Sequence, residues 1–143
     1  MTMETNVRIF KGANLGFTTI LLIGMNLFFL FRMRAHNFLI YVAGLALVNL
    51  VYYLLYRNEM NYFLLTGNSI VVKNKWRLDF EREIPYKKIK SAGTYQILSN
   101  GPTLELVLTD DRIVSFNCSN IGAKKVETLV SELTGRISLS QPV

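Results

Sequence analysis

Two kinds of hydrophobic patterning divide this chain. From residue 12 to 31, and again from 35 to 56, apolar residues continue for 20 and 22 positions without one charged side chain. At ~1.5 Å per residue, each run is long enough as a helix to cross a hydrocarbon core ~30 Å thick. The connection from Arg32 to Asn37 is too short for anything but an antiparallel hairpin. A signal peptide is the rival for the first run, but the run exceeds the usual apolar region of about 7–15 residues. It is also followed by Arg32, Met33 and Arg34 rather than by a small-x-small cleavage site. Phe28, Phe29 and Phe31 near the end of the first run, and Tyr41, Tyr52, Tyr53 and Tyr56 near the ends of the second, lie where aromatic belts form.

After Arg57 the apolar runs become short and alternating. Tyr62–Thr66 and Ser69–Lys73, joined by Gly67-Asn68, predict a β-hairpin. Further strands are expected over Trp76–Phe80, over Glu83–Ile89 with Pro85 near the strand start, and over Thr94–Leu98. A turn at Ser99-Asn100-Gly101-Pro102 leads to Leu104–Leu108, and a turn at Asp110-Asp111 leads to Ile113–Phe116. Val126, Leu129, Val130 and Leu133 recur at three and four residues, the stripe of an amphipathic helix. Ser119 or Asn120 is placed to cap its start, and Gly135 to end it. The expected organisation is a helical hairpin over residues 1–57, a β domain over 58–137 and a tail over 138–143.

Composition sharpens this picture. Of 143 residues, 50% are hydrophobic and 18% charged, and the mean hydropathy is +0.26. That excludes a disordered chain and argues against an ordinary soluble enzyme. Arg8, Lys11, Arg57 and Lys73 flank the runs on the side of the termini, against Arg32 and Arg34 in the connection. The excess places both termini and the β domain in the cytoplasm. The single Cys118 can form no internal disulfide, so nothing demands an oxidising compartment.

Within the apolar runs, Gly24 and Gly44 lie ~12–14 Å from the connection, where they can let the two helices approach closely. Gly12-x-x-x-Gly16 also fits a small-residue contact pattern, at the membrane edge. Asn26 and Asn49 need hydrogen-bond partners in lipid. Counted from the connection they lie ~9 and ~20 Å deep, poorly placed to satisfy one another. Each either bonds a backbone carbonyl of its own helix or contacts another membrane protein.

The order of two N-terminal spans, a meander of short strands, the segment Glu83-Ile84-Pro85-Tyr86-Lys87-Lys88-Ile89-Lys90-Ser91, a strand pair and an apolar-faced helix resembles the membrane-anchored bacterial PH-like domain proteins. In that family an I-P-aromatic-x-x-I-x strand recurs, which here reads IPYKKIKS. The resemblance implies an α+β membrane protein of the bacterial inner membrane: a two-helix hairpin followed by a PH-like split barrel of six or seven strands, capped by the C-terminal helix. It implies little about activity, because such barrels mainly scaffold lipid or protein contacts.

The candidate chemistry is sparse. The only histidine, His36, sits in the connection, ~30 Å across the bilayer from Cys118 and the carboxylates of the β domain. That topology denies the chain a Ser-His-Asp or Cys-His pair and a metal site. No phosphate-loop or dinucleotide motif occurs, and no cofactor is expected. Asp110-Asp111 reads as a turn, and Cys118 as a half-buried small residue. The basic residues offer more. Lys73, Lys75 and Arg77 alternate, which on an extended strand puts them on one face. Lys87, Lys88 and Lys90 form a second group. From residue 57 onward, 12 basic residues stand against 9 acidic ones. Beside anionic lipid each basic residue gains ~1 kcal/mol, the alternative being a solvated face that only orients the protein. Nucleic acid is disfavoured, since the aromatics lie in apolar runs rather than on the basic stripe. The expectation is a non-enzymatic accessory or scaffolding subunit whose partners are the bilayer and other membrane proteins. A sensor of anionic lipid is the alternative.

Overall fold

Strand pairing begins earlier in the chain than hydrophobic alternation suggests. The structure, a computed structural model, describes residues 7–12, 17–32, 37–97 and 101–140. They form two units, one of Met1–Ala13 with Asn58–Val143 and one of Asn14–Arg57. Residues 7–12 therefore belong with the β unit, not with a hairpin domain of residues 1–57. Strand β1 (Arg8–Phe10) pairs antiparallel with β2 (Asn61–Leu65), setting Phe10 opposite Phe63. Three residues are too few to show a period, but Phe10 is 6% exposed and holds the strand to the core.

Beyond β2, the meander continues through β3 (Ser69–Asn74) and β4 (Glu81–Pro85) to complete a four-stranded sheet. A second sheet follows, of β5 (Ile89–Ile97), β6 (Gly101–Leu108) and β7 (Ile113–Asn117). All pairings are antiparallel. The β2–β3 and β6–β7 hairpins match the expected turns at Gly67-Asn68 and Asp110-Asp111.

Four sequence expectations are corrected. Trp76–Phe80 is not a strand: Asn74 Oδ1 accepts the backbone N–H of Trp76 at 2.9 Å and of Arg77 at 3.1 Å, which turns the chain out of β3. Glu83–Ile89 is not one strand either. Pro85 ends β4 and a 3₁₀ turn over Tyr86–Lys88 precedes β5. Proline gives the ladder no N–H, and Tyr86 turns inward at 1% exposure with its hydroxyl donating to the Thr66 carbonyl at 2.9 Å. Gly101 and Pro102 begin β6 rather than forming a turn, while residues 98–100 lie outside the described residues. Finally, the C-terminal helix α3 (Ala123–Ser140) begins directly after Gly122, not after Ser119 or Asn120, and runs through Gly135. Gly122 adopts φ 87°, open to glycine, and its carbonyl accepts the Val126 N–H. Past Gly135, burial of Ile137 and an Arg136 guanidinium bond to the Thr66 carbonyl hold the last turns. That packing outweighs the ~1 kcal/mol propensity cost of glycine.

The expected helix stripe is present. Val126, Leu129, Leu133 and Ile137 are buried, with Val130 packed beside them. They close over Ile89, Leu104, Leu106 and Phe63, each fully buried.

The other unit holds α1 (Phe17–Arg32) and α2 (Phe38–Tyr56). Of the described helices, α2 alone, at 19 residues, is long and apolar enough to cross a membrane. The 16 residues of α1 rise only ~24 Å, so length does not make it a second span. Met33, Arg34, Ala35 and His36 lie outside the described residues.

Candidate functional site

The polar groups of the helical unit face one another. Asn49 Nδ2 donates to Asn26 Oδ1 at 2.7 Å and to the Leu45 carbonyl at 2.8 Å. Asn26 Nδ2 donates to the Leu22 carbonyl at 2.9 Å and, at 3.4 Å, to Asn49 Oδ1. This overturns the depth count that kept the two apart. Helical side chains lean toward their own N-terminus, so in antiparallel helices Asn26 leans away from the connection and Asn49 toward it. Thr19 and Tyr52 share a further bond across the helices at 2.7 Å. The glycines act differently from expectation. A Cβ on Gly24 would meet nothing within 4 Å among the described residues, so the glycine makes no close contact there. Gly44 instead lies under the Phe29 ring, 3.1 Å from where its Cβ would be. Gly12 packs against Asn120 within the β unit rather than against a helix, and Gly16 lies outside the described residues.

The expected basic face is dispersed. With β3 ending at Asn74, only Lys73 of the alternating trio is on a strand. It sits opposite Glu81 in the register and pairs with that carboxylate at 3.0 Å, which raises its pKa. Lys75 Nζ donates to the Gly12 carbonyl at 2.7 Å. Lys90 pairs with Asp111 at 2.8 Å, which likewise raises its pKa. Arg8 pairs with Glu132, and Arg112 with Asp110. Lys87 and Lys88 lie exposed on the 3₁₀ turn without an acidic partner among the described residues.

Arg77 is placed otherwise. Its guanidinium carbon stands 5.2 Å from the centre of the Phe80 ring, and both residues line a cleft of about 380 Å³ in the β unit. Arg82 is on the same wall, with Asn58, Asn61, Asn74, Ser115, Phe116 and Asn117 completing it. The strand registers explain the composition. Ile84 is the inward residue of β4, so Arg82, two positions earlier, shares its face. Phe63, Val72 and Arg82 form one cross-strand row, and Asn61 and Asn74 the next. The inward rows thus change from apolar to polar at one end of the sheet. That signal was readable in Asn61-x-Phe63-x-Leu65, Ile70-x-Val72-x-Asn74 and Arg82-x-Ile84, but only once the register was known.

The amides make a firm wall. Asn74 Nδ2 donates to Asn61 Oδ1 at 2.9 Å, and Asn61 Nδ2 donates to the carbonyls of Asn58 and Asn117 at 3.0 and 3.1 Å. Among the described residues no carboxylate lines the cleft. Glu59, next to Asn58 in the chain, bonds Ser119 instead, and burial raises its pKa.

Nucleophile and metal chemistry find little here. Cys118 is fully buried, not half-buried, and burial pushes its thiol up to about 12. Among the described residues no three His, Cys, Asp or Glu side chains gather as a metal site would need. Compared with protein-family models and with curated proteins, the chain matches none.

Proposed function

We propose that this protein is a non-enzymatic, membrane-anchored PH-like scaffold. In this reading α1 and α2 form a hairpin in a bacterial inner membrane and display the β unit on the cytoplasmic side as an accessory subunit of a membrane complex. One observation carries it: an apolar helical unit with its polar side chains turned inward lies in the chain between β1 and β2 of a β unit. Thr19, Asn26, Asn49 and Tyr52 bond across the two helices. The residues turned away from that contact are apolar, such as Ile20, Phe31, Leu39 and Leu47, each more than half exposed. Such an inside-out distribution suits lipid and is costly in water. Two sheets of four and three strands with a closing C-terminal helix support the PH-like part of the reading. The buried thiol of Cys118 supports the non-enzymatic part.

Affinity isolation of the chain from native membranes in mild detergent tests the subunit role. A membrane protein recovered in fixed ratio is the expected result, and recovery of the chain alone would contradict it. Orientation is tested by a cysteine at the exposed turn residue Asp79, with Cys118 changed to alanine. That cysteine is expected to resist a membrane-impermeant thiol reagent in intact cells, and ready labelling would reverse the topology. Lys87 and Lys88, which have no acidic partner among the described residues, favour a second reading, contact with anionic lipid at the membrane surface.

A further inference from the structure

Six cations of the β unit are already satisfied. Arg8, Lys73, Lys90 and Arg112 are ion-paired, while Lys75 and Arg136 donate to backbone carbonyls. Arg77 and Arg82 are set apart by their place: neither side chain forms a hydrogen bond or ion pair among the described residues, and both line one cleft in which no described carboxylate takes part. An arginine carries five N–H donors in a planar fork that matches the oxygens of phosphate. Arg77 is half-buried and held over Phe80, so its donors are pre-positioned rather than mobile. The amides of Asn61 and Asn74 are committed to one another and to backbone, which fixes the wall. Ser115, Phe116 and Asn117 of β7 close the other side of the cleft, where the Asn117 carbonyl is already taken by Asn61 Nδ2. The volume, about 380 Å³, lies within the range of small-ligand sites.

We propose that the cleft framed by Arg77 and Arg82 binds a phosphate group, carried by a lipid headgroup or by a small soluble phosphate compound. The site lies wholly within the β unit, so only its lipid source rests on the membrane reading given above. Lys87 and Lys88 provide an internal control, being exposed cations outside the cleft.

The test uses the full chain, purified in a non-ionic detergent for soluble phosphates and placed in phosphatidylcholine nanodiscs for lipid. Calorimetric titration is made with inorganic phosphate and with glycerol 3-phosphate. In nanodiscs with and without phosphatidic acid, emission of the single tryptophan, Trp76, reports on the neighbouring loop. Saturable binding of at least one probe is expected. Arg77→Gln and Arg82→Gln should each weaken it at least about tenfold, the scale of a lost charge-assisted hydrogen bond. Lys87→Gln with Lys88→Gln should leave it within about twofold at 0.15 M salt, because exposed charges are screened. Arg82 is exposed, so its substitution guards against a folding effect of removing Arg77 from the Phe80 ring. Response to the soluble phosphates assigns a free ligand, and response only to phosphatidic acid assigns a headgroup; both uphold the cleft. Binding by no probe, or equal weakening by the lysine and arginine variants, would overturn it.

Discussion

Gly12 has a local reason to be glycine. A Cβ there would run into the Asn120 carbonyl, and the Gly12 carbonyl receives the Lys75 ammonium. Gly12→Ala is therefore expected to cost the β unit ~1–3 kcal/mol, read by denaturant unfolding of the full chain. Unchanged stability would remove Gly12 from that contact. Cys118 makes a pH-dependent contribution. Its folded thiol titrates at about 12, against about 8.5 unfolded. The folded state keeps its proton where the unfolded state loses it, so the contribution is complete below the unfolded value and declines as pH rises toward about 12. At pH 10 wild type should have lost ~1–2 kcal/mol relative to pH 7, a loss absent from Cys118→Ala. Neither residue's role was legible from its type. A glycine in an apolar run looks like a helix contact, and a lone cysteine gives no sign of how deeply it is buried. The turn at Asp110-Asp111 was legible, because short acidic side chains cap their own backbone: Asp110 accepts from the Arg112 N–H at 3.2 Å, and Asp111 adopts φ 59°.

At the scale of elements, strong periodicity was read well and edges were not. The stripe from Val126 to Leu133 identified α3, but its end at Ser140 depended on tertiary packing that no local pattern carries. Leu129 is fully buried, whereas Val130 is only partly so. Leu129→Ala is expected to cost ~2–5 kcal/mol in thermal or denaturant unfolding and Val130→Ala markedly less. Equal small losses would mean that α3 does not close the core. In the helical unit, counting depth along the axis misled because it ignored the lean of the side chains. The Asn26–Asn49 pair is satisfied within the chain, so these residues give no argument for an outside helix. A double-mutant cycle of Asn26→Leu and Asn49→Leu on helix-pair stability in detergent should return a coupling of ~0.6–1.7 kcal/mol. Zero coupling would mean that the pair contributes nothing.

For the molecule as a whole, the main feature missed in the sequence is that the β unit is discontinuous. The apolar runs were legible from length and charge alone, while β1 was hidden by its three residues and by the long insertion between it and β2. The basic stripe failed as a site because alternation was extended past the end of a strand. Its cations found carboxylates and carbonyls elsewhere, and the polar mouth between β4 and β7 emerged only from the register. The central claim is that residues 14–57 are a membrane insertion in an otherwise self-contained β fold that requires β1. The direct measurement replaces residues 14–57 with a short glycine-serine linker and follows both partitioning and unfolding. The account requires a chain that leaves the membrane fraction and still unfolds in one cooperative transition, which further deletion of residues 1–11 weakens. Retention in membranes after alkaline carbonate washing, or a β unit that unfolds identically without β1, would contradict it.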